Sequence, residues 1–129
     1  MSAKQIKSVM KKYGKAWETQ DSDLLLDCFA ENGIYQESPL SKPYKGHKAI
    51  KKFWDSAVKK DTKNIKFKLG KCYASEDGKT GFAEWECKNE HKWKHNGKWQ
   101  KEHMVGIMIL KMRGDKIAYL SEYWNTKRG

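Results

Sequence analysis

The hydrophobic pattern of this chain changes its period about halfway along, and that change limits the folds open to it. Up to Val58 the apolar side chains recur three or four positions apart, the spacing of one face of a helix. From Ile65 onward they alternate with polar or small residues, as in strands with one buried face. Helices first and strands afterwards predict an α+β fold in which helices cover one face of an antiparallel sheet.

The first part of the chain predicts two helices in succession. Residues 3–19 form an amphipathic pattern. Asp21 or Ser22 can cap the second helix, because both side chains accept hydrogen bonds from free backbone amides. We expect this helix to end at Asn32-Gly33, since glycine readily takes the left-handed conformation that closes a helix.

A short strand and a third helix follow. Residues 34–38 are predicted to be extended and to stop at Pro39, which cannot donate a backbone hydrogen bond. A loop then reaches Gly46, and the helix after it carries one apolar face, formed by Ile50, Phe53, Trp54, Ala57 and Val58.

Three turn signals divide the second half into a meander of strands. They are Asp77-Gly78, Asn96-Gly97 and Arg113-Gly114-Asp115, and the last strand is predicted over residues 117–124. If Asn96-Gly97 is a two-residue loop, Trp85 lies opposite Met108 and His91 opposite Glu102. The predicted inward face is Trp85, Cys87, Asn89, His91, Trp93, Glu102, Met104, Met108, Leu110 and Met112.

The preceding hairpin gives a conflicting face. A two-residue turn at Asp77-Gly78 pairs Cys72 with Ala83 and sends Phe67, Leu69 and Tyr73 to the opposite side of the sheet. Either the sheet is apolar on both faces, or a bulge shifts the register of one hairpin.

Several segments together resemble the NTF2-like superfamily, and within it the SnoaL-like branch related to ketosteroid isomerases and polyketide cyclases. They are Tyr13 to Trp17, Asp23-Leu-Leu-Leu-Asp-Cys-Phe-Ala-Glu-Asn-Gly-Ile-Tyr-Gln-Glu-Ser-Pro39, Tyr44-Lys-Gly-His-Lys-Ala-Ile-Lys-Lys-Phe-Trp54 and Ser121-Glu-Tyr-Trp124. The resemblance implies that residues 1–129 form a single domain. Its fold would be a cone-shaped, curved antiparallel sheet wrapped around three N-terminal helices, with a pocket between.

The resemblance also implies roles for a few residues. Tyr13 falls where the steroid isomerases carry a catalytic tyrosine, but Ser38 and Met108 replace their carboxylate base and their acidic donor. Glu37 is adjacent to Ser38, but a shift of one residue along a strand reverses the face of the side chain, so Glu37 is not expected to take the place of the base. Steroid-isomerase activity is therefore not expected. Glu122 is expected on the concave side of the last strand, where burial among aromatic rings would raise its pKa and suit it to acid–base chemistry.

The predicted site thus has Glu122 and Tyr13 as catalytic candidates. The candidates for ligand contact are Trp17, Tyr35, Ser38, Phe53, Trp54, Trp85, Met108, Leu120 and Trp124. The predicted function is binding of an apolar or aromatic small molecule, with isomerase, cyclase or dehydratase chemistry that needs no cofactor. A noncatalytic carrier or sensor and a basic interaction module remain as alternatives.

Charge and cysteine content restrict the remaining functions. The formal net charge is +11, carried by 25 lysines and only two arginines, Arg113 and Arg128. Because base recognition favours arginine and no basic stripe is visible in the sequence, nucleic acid is an unexpected partner. The four histidines and three cysteines match no metal-ligand spacing.

Location and assembly are predicted from weaker patterns. The sequence has no signal peptide and no apolar run of membrane-spanning length, and its odd number of cysteines suits a reducing compartment, so a cytoplasmic protein is expected. Val105, Ile107 and Ile109 alternate onto the outer face of the sheet. Such an apolar stripe predicts a homodimer.

Overall fold

A computed structural model describes residues 1–128, in which helices pack against one face of a six-stranded sheet. The helices are α1 (Ala3–Thr19), α2 (Ser22–Cys28) and α3 (Gly46–Trp54), the last continued by a π-helical segment, Asp55–Lys60. The strands are β1 (Phe29–Gln36), β2 (Tyr44–Lys45), β3 (Thr62–Ala74), β4 (Gly81–Lys92), β5 (Trp99–Arg113) and β6 (Lys116–Arg128). The predicted α+β class is confirmed.

The strands lie in the order β2-β1-β6-β5-β4-β3. All neighbouring pairs are antiparallel except β1 and β6, which run parallel. The last four strands therefore form the predicted meander. Strand β1, which lies between α2 and α3 in the chain, pairs with β6 at the edge of that meander. This topology places the chain after α2 directly beside the last strand, where the candidate acid Glu122 lies.

Helix α1 spans the predicted residues and delivers aromatic side chains to the interior. Ser2 and Gln5 cap its N-terminus reciprocally. Gly14 lies under the ring of Phe67 on β3, at a distance where an added Cβ would be 2.5 Å from that ring. Because the helix approaches the sheet so closely, Tyr13 and Trp17 project between the helix and the inner face.

The expected end of α2 is wrong. Asp21 does cap the helix, but the helix ends at Cys28 and not at Asn32-Gly33. Phe29 is already extended and pairs with Ile117 of β6, which buries its ring in the core. The pairing of the sheet outweighs the local helix-stop signal, and a bulge absorbs the residues between Phe29 and Ile34.

The loop between β4 and β5 is longer than predicted. Lys92 pairs with Trp99, and Trp93 donates to the carbonyl of Lys98 at 3.0 Å, so four residues (94–97) form the turn. The register shifts by two positions, which leaves each residue on its predicted face but changes its partner. Trp85 lies opposite Gly106 and not Met108.

That shift also removes the predicted cross-strand pair of His91 and Glu102. His91 lies opposite Gln100, and Glu102 lies opposite Asn89. The side chain of Glu102 instead forms an ion pair with Arg128.

A bulge in β3 resolves the conflict between the two hairpins. Cys72 pairs with Ala83 as predicted, but the register shifts by one residue between Leu69 and Cys72. Phe67 consequently lies opposite Cys87 and Leu69 opposite Trp85, so both apolar side chains point inward while Tyr73 stays outside. The alternative with a bulge is correct.

Candidate functional site

A cavity of about 290 Å³ lies between the helices and the inner face of the sheet. Aromatic rings from both the helices and the sheet line it, together with apolar and polar side chains. The rings are those of Trp17, Tyr35, Phe53, Phe67, Trp85, Trp93 and Trp124. The rings of Phe67 and Trp85 stack almost in parallel, with centroids 6.0 Å apart. A concave site lined by aromatic, apolar and polar side chains is typical of small-molecule binding.

Glu122 is the buried acid of this cavity. It lies on β6 opposite Met108 and is only 5% exposed. The hydroxyl of Tyr13 donates a hydrogen bond of 2.7 Å to its Oε1. Burial raises the pKa of Glu122 from its ordinary 4.5 to about 8, the Tyr13 hydrogen bond lowers it, and the charge of Glu37 raises it. At neutral pH the carboxyl is therefore mostly protonated.

Tyr35 adds a second hydroxyl beside this carboxyl. Its side chain is 1% exposed and lines the cavity. Burial first, and then the charge of Glu122, raises the pKa of Tyr35 well above its ordinary value. The Tyr35 hydroxyl forms no hydrogen bond of good geometry within residues 1–128, but it lies close enough to the Glu122 carboxyl to lower the pKa of that group. Glu122 and Tyr35 thus present two proton donors to one end of the cavity.

Other buried polar atoms of the cavity wall also lack partners in the part of the chain that the structure describes. They are the indole Nε1 atoms of Trp17 and Trp85 and the Oδ1 atom of Asn89. A buried polar group without a partner costs about 1–3 kcal/mol. The three groups face the cavity from α1 and from β4, where water or the polar atoms of a ligand would satisfy them.

Glu37 is a site residue that the sequence interpretation passed over in favour of Ser38. Its half-buried carboxylate lines the cavity. Burial raises the pKa of Glu37, and the neighbouring His91 imidazole opposes that shift. The strand alternation used to exclude Glu37 ends with β1 at Gln36, so it no longer decides the direction of the next side chain.

At the mouth of the cavity Arg128 joins two residues of the predicted inward face, Trp93 and Glu102, and Arg128 was not predicted. Arg128 donates from Nε to Glu102 at 3.2 Å, and its guanidinium lies 4.8 Å from the ring centre of Trp93. Strand β6 reaches Arg128, four residues beyond the expected end at Trp124. The continued alternation from Glu122 through Trp124 and Thr126 would have indicated this longer strand.

The structure brings most of the predicted site residues to the cavity. Those on its wall are Trp17, Tyr35, Phe53, Trp85, Met108, Glu122 and Trp124. Tyr13 reaches the site through Glu122. Trp54 and Leu120 are fully buried in the core, away from the wall, and the Ser38 hydroxyl bonds to that of Ser41 at 2.7 Å in the loop after β1.

Residues 1–128 contain no group of three or more histidine, cysteine, aspartate or glutamate side chains placed to hold a metal ion. No helix within the same residues has the length and apolar character needed to cross a membrane.

Comparison with known proteins agrees with the fold. Residues 10–120 match the profile of the SnoaL-like domain. A candidate polyketide cyclase from Xanthomonas campestris pv. campestris superposes with a TM-score of 0.79 at 16% identity, covering 95% of this chain and 91% of that one. The epoxide hydrolase/cyclase-like enzyme SalBIII, from pyran ring formation in the polyether salinomycin, gives 0.71 at 19% identity, covering 92% and 89%.

A third similar structure is a computationally designed 17-OHP binder. It gives a TM-score of 0.76 at 16% identity, and each chain is covered completely. At these identities the likenesses show a shared fold. None of the curated proteins matches this sequence significantly.

Proposed function

The chain belongs to the SnoaL-like domain family, and on that premise we propose that its cavity binds an apolar small molecule with an oxygen function and transfers a proton on it. The reaction would be that of an isomerase, a cyclase or a dehydratase, and it would need no cofactor. The observation that carries this proposal is a buried carboxyl, Glu122, whose pKa of about 8 keeps it protonated at the end of an aromatic cavity.

The polar groups suggest how the transfer would run. Protonated Glu122 and the free hydroxyl of Tyr35 would donate hydrogen bonds to a ligand oxygen and stabilise the charge that develops there. Glu37, half-buried at the same cavity, would accept the proton that leaves the ligand carbon. The C–H bond breaks, its electron pair moves towards the oxygen, and the proton resides on Glu37 until it returns at another carbon or is lost with a leaving group.

The similar structures support the ligand class. One acts in pyran ring formation and another binds 17-OHP, so this fold accommodates small organic molecules. For this chain the aromatic wall and the unpartnered indole groups of Trp17 and Trp85 favour a flat ligand with more than one oxygen atom.

The first experiment is a thermal-shift screen with steroids, polyketide-like aromatics, terpenoids and fatty acids. A ligand at 100 times its dissociation constant adds about 2.7 kcal/mol of stability, a shift of several degrees for a domain of this size. Turnover of the stabilising class is then followed in the wild type and in Glu122→Gln, which keeps the shape of the side chain. We expect the variant to bind but to lose turnover by about a hundredfold, the scale of one donor to a developing oxyanion, because an amide N–H is a much weaker acid than a carboxyl group.

Glu102→Gln is the matched control, because Glu102 also lines the cavity but lies at the mouth beside Arg128. It should retain turnover. Full turnover in Glu122→Gln would refute the role of Glu122 in the reaction.

A noncatalytic carrier is the second candidate. Buried Met108 lies opposite Glu122, at the place where the steroid isomerases carry a donor, and a thioether cannot donate a proton. If the wild type leaves every stabilising ligand chemically unchanged, and Glu122→Gln binds that ligand equally well, the function is that of a noncatalytic carrier and not of an enzyme.

We also propose that the chain forms a homodimer through the apolar part of the outer face. Val105 is 51% exposed and Tyr123 is 43% exposed. Ile107 lies directly opposite Tyr123 and follows Val105 on the same face of β5. Contact with a second copy would remove this surface from water. Light scattering at tens of micromolar should give twice the chain mass; a monomer at that concentration would exclude this assembly.

A further inference from the structure

The outer face of the sheet is divided into two halves of different character, a division that only the strand register reveals. Going from the β4–β5 turn along β5, the outward residues are Trp99, Lys101 and His103, and then Val105, at which the apolar part described above begins. Residues paired across neighbouring strands form rows on this face. The rows from the pair of Lys92 and Trp99 to the pair of Lys68 and Glu86 are called the basic half.

One row of the basic half crosses four strands and carries only basic side chains. Lys66 on β3 pairs with Lys88 on β4, Lys88 pairs with His103 on β5, and His103 pairs with Lys127 on β6. Neighbouring strands lie about 4.8 Å apart, and like charges directly opposite one another destabilise a sheet. This row therefore opposes folding, and stability alone gives no reason for it.

The surrounding rows extend the positive charge. Lys63 and Lys101 flank Glu90 on one side of the row, and Lys68 flanks Glu86 on the other. Altogether seven lysines and His103 project from the basic half, against two glutamates. Both glutamates are occupied: Glu86 lies 3.3 Å from His103, and Glu90 accepts from Asn64. Among the described residues, none of Lys66, Lys88 and Lys127 forms an ion pair.

An aromatic ring borders this charged surface. Trp99 is 38% exposed at the start of β5, and the ammonium group of Lys63 lies 4.2 Å from its ring centre. An exposed indole among lysines offers both a stacking surface for a base and a positive charge for the adjoining phosphate.

We propose that the basic half binds single-stranded nucleic acid through its phosphate backbone, without reading its sequence. The surface measures roughly 20 Å along the strands and roughly 14 Å across them, enough for several nucleotides. Lysine supplies the charge, which suits phosphate contact and not the bidentate recognition of bases by arginine. This function is separate from the cavity, because the two surfaces lie on opposite faces of the sheet.

A single strand fits better than a duplex or a membrane. A duplex keeps its bases stacked inside the helix and would leave the exposed ring of Trp99 without a base to stack on. A single strand can instead lie flat on the sheet and place one base on Trp99. Insertion into a bilayer would need several apolar side chains within the charged region, and Trp99 and Val105 are the large apolar residues that project there.

The test is fluorescence anisotropy of the full chain with a labelled 20-nucleotide oligothymidine between 50 and 200 mM salt. The test variant is the double substitution Lys88→Gln/Lys127→Gln. Its matched control is Lys7→Gln/Lys11→Gln, which removes the same charge from exposed positions on α1. Each phosphate contact contributes a slope of about −0.7 to log K against log[salt], so the test variant should reduce the slope by about 1.4 while the control leaves it unchanged. Trp99→Ala should weaken binding at every salt concentration without changing the slope.

Three outcomes would overturn the proposal. Equal losses in the test and control variants would show attraction by net charge alone. Tighter binding to vesicles of phosphatidylserine and phosphatidylcholine, or to a duplex of equal length, would assign the surface to another partner. A melting temperature that falls in the test variant at low salt would show that the row stabilises the sheet; relief of repulsion predicts that it rises or stays constant. None of these outcomes bears on the cavity or on Glu122.

Discussion

Replacement of Glu122 by glutamine should change how the stability of the protein depends on pH. The pKa of Glu122 is 4.5 in the ordinary case and about 8 in the fold, where burial penalises the charged form. Below pH 4.5 both the folded and the unfolded chain hold this proton, and the full stability is present. As the pH rises towards 8, the unfolded chain releases the proton while the folded chain retains it, so stability is lost.

The size of the effect follows from the shift. Each pKa unit corresponds to about 1.4 kcal/mol, so a shift from 4.5 to about 8 removes about 5 kcal/mol in total, of which about 3 kcal/mol is already lost at pH 7. Glutamine has the shape of the protonated acid and can still accept from Tyr13, but it does not titrate. The variant should therefore become more stable relative to the wild type as the pH rises.

Urea unfolding of both proteins at half-unit steps from pH 4 to pH 9 measures this difference directly. The contributions of all other titrating groups cancel when one free energy of unfolding is subtracted from the other. We expect the difference to be constant below pH 4.5, to grow by about 1.4 kcal/mol per unit above it and to level off above pH 8. A difference that stays flat within 1 kcal/mol from pH 5 to pH 8, on the scale of a single pKa unit, would refute the raised pKa and, with it, the protonated donor at neutral pH.

Three further substitutions test the surroundings of the site. Tyr13→Phe removes the hydrogen bond that lowers the pKa of Glu122. The pH above which the loss of stability due to Glu122 levels off in the same unfolding experiment should therefore move above 8. Glu37→Gln removes a negative charge that raises the pKa of Glu122, so the same pH should move below 8. Shifts of equal size and direction in the two variants would contradict the opposite effects assigned to Tyr13 and Glu37. Gly14→Ala should destabilise the protein by about 1–3 kcal/mol despite the better helix propensity of alanine, because its Cβ would meet the Phe67 ring at 2.5 Å; a rise in melting temperature would show that α1 can move away from β3.

The sequence predicted the elements that have strong local patterns. The limits of α1 and the inward face of β4 and β5 follow from periodicity alone, because each apolar set is long enough to identify one face. The end of α2 could not be predicted in this way. Phe29 leaves the helix because Ile117, almost 90 residues later, pairs with it, and a local stop signal carries no information about that contact.

Bulges limited the prediction of the site in a different way. A single extra residue near Gly70 returns Phe67 and Leu69 to the cavity side, and nothing in the local sequence fixes where the extra residue is placed. Glu37 was missed for a related reason, since it lies one residue past the end of β1. Glu122 was found because its strand alternates without interruption from Leu120 to Trp124, and the resemblance of Ser121-Glu-Tyr-Trp124 had already placed that strand at the concave side.

The basic half shows what a register adds to a composition. In the sequence its lysines are spread over four separate strands and look like ordinary surface charge. Only the pairings of Lys66 with Lys88 and of His103 with Lys127 place them in one row, where their mutual repulsion becomes an energetic cost. The same alternation puts Glu122 and the aromatic rings on one face and the lysines on the other. An apolar ligand and a polyanion could thus be bound by opposite faces of the same four strands, with neither surface occupying the space of the other.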